Sequence, residues 1–532
     1  MKSKTLFIDG DGRSTLRALL GPDAPPARCG GAGVCGSCRV KLAGSSALPP
    51  PSSADLQRFS AEELASGWRL SCLCVPAGRF AVEIPEIDES GIADMALRSG
   101  CPEPDGDRAA SAESELPEIS RFAVAVDVGT TTIVTELLDR GARKPIASDS
   151  FVNPQRKWGA DVLSRIEALS RAGGEGVDAA ASMKASLAAD LEKSFGRLLQ
   201  KIDVAEGGIV KIGIAANTAM THILLGLDAR GLGVSPFVPA ALSFPDLPAR
   251  ALFPGLPSEY AEDCAVTFVP CLSAFIGGDI VAGLAAAGLD PDGPPSLFLD
   301  LGTNAEMVLA SGGRFLCASA AAGPAFEGGR ISCGVAAVPE SVAEVRLDGS
   351  RFAWKRAGSF PAGAELPPPP GLCGSGLVDF LACALDAGLV RPDGSLAPAC
   401  AGGVLLGGGS ALSLSSGDVR ELQLARAAVR AGIGILLEEA GLSAADLERV
   451  YLAGGFGTFL KEESALRVSL IPRECRGRII PAGNASLSGA RLAAIGDNPA
   501  DRFNAILEKS VPVPLGGNER FNALFIDFLE FD

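Results

Sequence analysis

An apolar strand that ends in Asp-x-Gly-Thr occurs twice in this chain, and that repetition constrains its fold more than any other feature. The first copy is Phe122-Ala123-Val124-Ala125-Val126-Asp127-Val128-Gly129-Thr130-Thr131-Thr132-Ile133-Val134. The second is Leu297-Phe298-Leu299-Asp300-Leu301-Gly302-Thr303-Asn304-Ala305-Glu306-Met307-Val308. Each reads as a buried strand, an acid, a tight glycine turn with hydroxyls, and a return strand. Two copies imply an internally duplicated fold. The turn chemistry suits a phosphate. Glycine lets the backbone approach, N–H and Thr hydroxyl groups cradle the oxygens, and a strand-end Asp can hold Mg²⁺ directly or through water.

A third element, Arg449-Val450-Tyr451-Leu452-Ala453-Gly454-Gly455-Phe456-Gly457, is a short apolar strand running into a glycine pair. It suits close approach of a nucleoside. The helix expected before it carries Leu422, Ala425, Val429, Ile433 and Leu436 on one face.

Upstream of the duplication lies a cysteine-rich segment, Cys29-Gly30-Gly31-Ala32-Gly33-Val34-Cys35-Gly36-Ser37-Cys38, with a distant fourth cysteine in Arg69-Leu70-Ser71-Cys72. Three close thiolates at C-x5-C-x2-C and one far away is an arrangement that holds a [2Fe–2S] cluster in a small β-rich ferredoxin domain. Zinc sites prefer paired C-x2-C units, and only one such unit is present. The first gap is one residue longer than in the plant-type spacing. Cys74 competes with Cys72 for the fourth position, and the Arg-Leu-x-Cys context favours Cys72. Around these cysteines, Thr5-Leu6-Phe7-Ile8 and Arg39-Val40-Lys41-Leu42 read as strands, and Ser14 as the cap of a short helix over Thr15–Leu20.

With 532 residues the chain has room for several domains. Composition places them as 1–85 (cluster domain), 86–120 (an acidic linker rich in Pro, Gly, Ser and Ala), 121–292 (lobe I) and 293–532 (lobe II). The net charge of −16 argues against a nucleic-acid partner, which requires basic patches. No uncharged apolar run is long enough to span a membrane. The first residues lack the apolar core of a secretion signal, and most of the 14 cysteines are scattered. A reducing, cytoplasmic setting is therefore expected.

The region from residue 121 onward resembles the actin/sugar-kinase/Hsp70 superfamily. With the β-grasp ferredoxin domain expected from the cysteine spacing, that resemblance implies a multidomain α+β chain whose body is a two-lobed α/β ATPase of duplicated ribonuclease H-like design, closing over ATP and Mg²⁺. It assigns Asp127, Gly129, Thr130 and Thr131 to a first phosphate loop. Asp300, Gly302, Thr303 and Asn304 fall in a second, and Gly454 and Gly455 face adenosine. Asp127 and Asp300 are then the catalytic carboxylates, with Glu306 able to position the attacking water. Cys29, Cys35, Cys38 and Cys72 hold the cluster.

More specific marks are Asn153-Pro154-Gln155, Gly159-Ala160-Asp161-Val162-Leu163-Ser164-Arg165-Ile166, Asn217-Thr218-Ala219-Met220-Thr221-His222, Gly277-Gly278-Asp279, Ala322-Gly323-Pro324-Ala325-Phe326-Glu327-Gly328 and Gly371-Leu372-Cys373-Gly374-Ser375-Gly376. Together with the cluster segment they resemble the reductive activators of corrinoid enzymes. The resemblance implies ATP-driven electron transfer from a low-potential donor, through the cluster, to the Co(II) corrinoid of a partner protein, restoring Co(I). It allows a homodimer, although the linker here leaves little room for the intermediate domain that some members carry. Rival readings are an electron carrier with a non-catalytic nucleotide-binding scaffold and a small-molecule kinase with a ferredoxin appendage. His222, the single histidine, reads as a buried structural residue in preference to a general base. Glu327 is a candidate for nucleotide or interlobe contact.

Overall fold

The structure is a computed structural model describing residues 3–25, 38–44, 47–85, 121–159, 161–170, 175–201, 208–257, 263–360 and 366–531. The acidic linker, Cys29 and Cys35 lie outside the described residues.

The N-terminal unit is one antiparallel sheet of β1 (Ser3–Asp11), β2 (Arg39–Ala43), β3 (Trp68–Leu70) and β4 (Ala77–Pro85), ordered β1-β4-β2-β3. The helix Leu16–Leu20 packs Leu16 and Leu20 against Val40, Leu42, Phe80 and Val82. Its cap is Thr15, whose hydroxyl accepts from the Ala18 amide, and not Ser14. Ser14 is drawn the other way, donating its amide and hydroxyl to Asp11 in the preceding turn. This is the ferredoxin-like β-grasp unit expected from the cysteine spacing.

Lobe I is a six-stranded sheet. It contains β5 (Phe122–Val128), β6 (Thr132–Asp139), β7 (Lys144–Val152), β8 (Ile209–Ala216), β9 (Leu247–Pro248) and β10 (Ala265–Phe268), in the order β7-β6-β5-β8-β10-β9. Lobe II repeats the plan with β11 (Ser296–Leu301), β12 (Ala305–Ser311) and β13 (Arg314–Ala320). Two hairpins follow, β14 (Val342–Asp348) with β15 (Arg351–Arg356) and β16 (Val404–Gly407) with β17 (Ser410–Leu414). Then come β18 (Arg449–Ala453), β19 (Ile479–Gly483) and β20 (Ser510–Pro512). Its main sheet runs β19-β18-β11-β12-β13-β20. In both lobes three antiparallel strands are followed by two parallel ones on the far side of the first strand. The duplication read from the two Asp-x-Gly-Thr strands is thus a duplication of whole sheets.

Strand side chains alternate between faces, and here the two faces serve two cores. Phe122, Val124, Val126 and Val128 point into the core of lobe I, whereas Ala123 and Ala125 point into a core shared by both lobes. In β11, Leu297, Leu299 and Leu301 fill lobe II while Phe298 joins the shared core. Burial on both faces explains why these strands are apolar throughout. Small residues on the shared face let two helices come close. The helix Gly278–Ala287 and the helix Ala485–Ile495, which follows β19, meet there over both sheets. A Cβ at Gly489 would lie 2.3 Å from the Ala282 carbonyl oxygen, and one at Gly213 would lie 2.4 Å from the Ala490 oxygen.

Gly489→Val should force these helices apart. Overpacking a close-packed contact of this kind costs about 1–3 kcal/mol. Thermal unfolding followed by circular dichroism should show a lower midpoint for Gly489→Val, whereas Gly516→Val, at a site where an added Cβ meets nothing within 4 Å, should match the wild type.

Candidate functional site

Asp127 is the penultimate residue of β5, just before the first glycine turn. Its carboxylate accepts from Asn484 Nδ2 at 2.8 Å and from Ser486 Oγ at 2.7 Å. Both donors sit at the start of the helix Ala485–Ile495, so the first turn of lobe I is tied to a helix that belongs to lobe II by sequence. Two turns further along, Arg491 makes a paired contact with Glu136 of β6, at 2.5 and 2.9 Å. Gly129 is obligatory in the turn, because a Cβ there would lie 2.5 Å from the Thr132 carbonyl oxygen. Asn217, the cap of the helix Thr218–Leu225, donates to Thr130 Oγ1 at 3.1 Å.

Asp300 holds the equivalent place in β11. Glu306 is its direct partner across the β11–β12 pair, so the two carboxylates share a sheet face. The turn between them is closed by the Gly302 amide donating to the Asn304 carbonyl at 2.9 Å. Thr303 Oγ1 donates to Glu327 at 2.9 Å, and the Thr303 carbonyl accepts from the Gly323 amide. Gly454 adopts a left-handed backbone (φ +82°) beside Asp300, where a Cβ would lie 2.6 Å from the Asp300 Oδ1. Gly455 faces open space instead. Of the glycine pair, one makes room for the acid and the other leaves room for a ligand.

Five carboxylates, Asp127, Asp279, Asp300, Glu306 and Glu327, therefore line one cleft. Asp127, Asp279, Asp300 and Glu306 are half-buried, and Glu327 is surrounded by protein but open to solvent at its rim. Burial is the main force raising their pKa values. Asp279, next pushed by Asp300, and Asp300, next pushed by Asp127, are each raised to about 7. Glu306 is pushed well up by burial and then by Asp279 and Asp300. Such a cluster calls for a cation. Among the described residues no three metal-ligating side chains are gathered closely enough to hold an ion by direct coordination. A cation there would be held through water and through the oxygens of a bound ligand. Asp279 belongs to the Gly277-Gly278-Asp279 mark, but its membership of this cluster could not be read from sequence. Asn484 and Ser486 carried no signal at all, since no motif surrounds them.

In the N-terminal unit, Cys38 Sγ and Cys72 Sγ are 3.2 Å apart. Both are buried with Phe59 and Leu70, and Trp68 packs on them. The cradle fits an iron atom held by this pair. Cys74 lies in the other core of the domain, among Leu16, Val40 and Phe80. Burial pushes its thiol up to about 12, which opposes the thiolate a ligand must be. Arg58, next to Phe59, donates to the Ser332 carbonyl oxygen at 2.8 Å and so brings this domain against lobe II.

His222 is fully buried. Its Nδ1 lies 2.7 Å from the Thr218 carbonyl oxygen, and its Nε2 lies within reach of the Ala240 and Ala241 amides, at 3.1 and 3.4 Å. Nε2 therefore accepts and Nδ1–H donates. Burial lowers the pKa, and the neutral ring staples the helix to the following loop, as its sequence context suggested.

Three family models match successive parts of the chain. The 2Fe-2S iron-sulfur cluster binding domain matches residues 3–77, the RACo middle region matches 122–292, and the C-terminal domain of RACo, the ASKHA domain, matches 294–531. The corrinoid activation enzyme RamQ of Eubacterium limosum is 27% identical over 423 residues, covering 75% of this chain and 68% of the relative. The [Co(II) methylated amine-specific corrinoid protein] reductase of Methanosarcina barkeri is 25% identical over 443 residues, covering 77% of each. Among solved structures, a reductive activator for corrinoid, iron-sulfur protein superposes with a TM-score of 0.67 at 24% identity, covering 98% of this chain and 96% of that one, and so shares its fold. With these three domains in this order, the chain belongs to the family of reductive activators of corrinoid enzymes.

Proposed function

We propose that this chain is an ATP-dependent reductive activator that passes an electron from a [2Fe–2S] cluster to the Co(II) corrinoid of a partner protein, restoring Co(I). One observation carries the reading: a single chain joins a buried pair of cysteine sulfurs to a carboxylate-lined cleft between duplicated lobes. Two curated relatives are named for acting on corrinoid proteins, which supports the acceptor.

When bound, the cluster supplies a one-electron step, and ATP with Mg²⁺ supplies the free energy that makes an uphill transfer favourable. Each ~59 mV uphill costs about 1.4 kcal/mol for one electron. Cys29, Cys35, Cys38 and Cys72 hold the irons in this reading, and Phe59, Trp68 and Leu70 keep water from the Cys38–Cys72 side. Asp127 and Asp300 orient the water shell of the cation, one from each lobe. Glu306, beside Asp300, positions the attacking water. Gly129, Thr130, Thr131, Gly302, Thr303 and Asn304 receive the phosphates, and Gly455 leaves room for the nucleoside. Because Asp127 is held by Asn484 and Ser486, a ligand that pulls on the first turn also pulls on the interlobe helix. The Arg58–Ser332 contact carries lobe II's position to the cluster domain.

A low-potential donor reduces the cluster in this scheme. No described helix is long and apolar enough to cross a membrane, and a cytoplasmic setting accords with the scattered, buried thiols. A homodimer is compatible with the scheme and not required by it.

The deciding assay mixes the reduced chain with a Co(II) corrinoid protein and follows Co(I) optically. Co(I) should accumulate only with Mg²⁺ and ATP; its absence, with the cluster intact, sinks the reading, and equal yields without ATP make the chain a simple carrier. Cys72→Ser should abolish or strongly shift the visible spectrum of the reconstituted cluster, while Cys74→Ser should leave it unchanged. Asp300→Asn should raise the thermal midpoint of the nucleotide-free protein and weaken Mg²⁺–ATP binding. The stability gain should be larger at pH 8 than at pH 6, because below about pH 7 the native carboxyl takes up a proton and the repulsion fades.

A further inference from the structure

The two phosphate turns are built alike but braced differently. Behind the second, the supporting side chain is an acid, Glu327, on Thr303 Oγ1. At the first, each backbone carbonyl from Gly129 to Thr131 accepts a hydrogen bond. Asn153 Nδ2 donates to the Gly129 oxygen at 2.9 Å, and the Asn153 amide donates to the Thr131 oxygen at 2.8 Å. The remaining carbonyl, that of Thr130, accepts from Arg165 Nη2 at 2.6 Å. Three consecutive carbonyls of the turn are thereby fixed in place by Asn153 and Arg165.

Arg165 is fully buried, in the helix Val162–Leu169. Its other contacts are neutral: the Gly159 carbonyl at 3.0 Å, Gln155 Oε1 at 3.4 Å and the Met220 sulfur at 3.2 Å. Among the described residues it makes no ion pair; Asp161 and Arg156 act on it only at longer range and in opposite senses. A buried guanidinium hydrogen-bonded to neutral groups is costly unless an anion compensates it. Asn153 and Gln155 belong to one of the sequence marks noted above and Arg165 to another.

We propose that Arg165 is a positioning residue for nucleotide phosphates: through the Thr130 carbonyl it sets the first turn, and its charge makes that turn the anion-attracting one of the pair. This rests on the nucleotide reading above. The second turn, backed by Glu327 and flanked by Asp300 and Glu306, gathers three acids, whereas the first sets the Arg165 charge against the single acid Asp127. The phosphate tail is thereby given a direction across the cleft, from charge distribution alone. Arg165 touches neither nucleotide nor metal in this scheme, and its effect reaches them through the turn.

The test compares Arg165→Gln, which keeps a hydrogen-bond donor but removes the charge, with Arg165→Lys, which keeps the charge. Binding of ATP, ADP and adenosine to the cluster-loaded chain is measured by isothermal titration calorimetry with Mg²⁺ present. Far-ultraviolet circular dichroism and the visible cluster spectrum check the fold of each variant. Arg165→Gln should weaken ATP and ADP by about tenfold or more while leaving adenosine within about twofold, and Arg165→Lys should recover most of the loss. The inference is overturned if Arg165→Gln binds ATP like the wild type, if adenosine is weakened as much as ATP, or if Arg165→Lys fails as badly as Arg165→Gln. A wild-type chain that binds no ATP would instead overturn the nucleotide reading itself, and this inference with it.

Discussion

The carboxylate of Asp127 is held by Asn484 and Ser486, and the rest of the ATPase body depends on that contact. It joins the first strand of lobe I to the start of a helix 357 residues later in the chain. A carboxylate pushed up by burial is retained there only because two neutral donors aim at it and partly offset the cost. The same helix is locked a little further on by Arg491 against Glu136, and along its length by small residues packed against Ala282 and Gly213. The lobes cannot slide freely past each other while these contacts stand. Any ligand that rearranges the first turn must therefore be felt by both.

The second physical theme is concentrated negative charge. Five acids share one cleft; burial raises all of them, and Asp279, Asp300 and Glu306 are pushed further by acidic neighbours. This is a standing cost in the nucleotide-free state, the kind of strain that binding sites retain. It also selects the ligand: a bare anion would be repelled, whereas a nucleotide carrying Mg²⁺ relieves the repulsion. The cluster domain follows the opposite rule. There two sulfurs are brought together inside an apolar pocket, where burial controls solvent access and hence the potential of what they hold.

Much of this was legible from the amino-acid order alone. Asp127 and Asp300 announce themselves because a glycine turn after a buried strand has a fixed local geometry. Cys38 and Cys72 announce themselves because the cysteine spacing is set by cluster chemistry. Even the structural role of His222 followed from its apolar surroundings. The short first helix was misread by one position, since both Ser14 and Thr15 are competent caps. Only the pull of Asp11 on Ser14 decides between them.

The sequence by itself determined the local pieces: two Asp-x-Gly-Thr turns, a glycine pair and a spaced set of cysteines. Tertiary structure alone decided how they combine. It separated Gly454, which makes room for Asp300, from Gly455, which opens to the cleft. It put Cys72 beside Cys38 and Cys74 in a different core. It brought Asp279 among the other acids, and Asn484, Ser486 and Arg165 to the first turn. These are long-range pairings between residues with no shared periodicity, and they exist only once two sheets and the helices between them have packed.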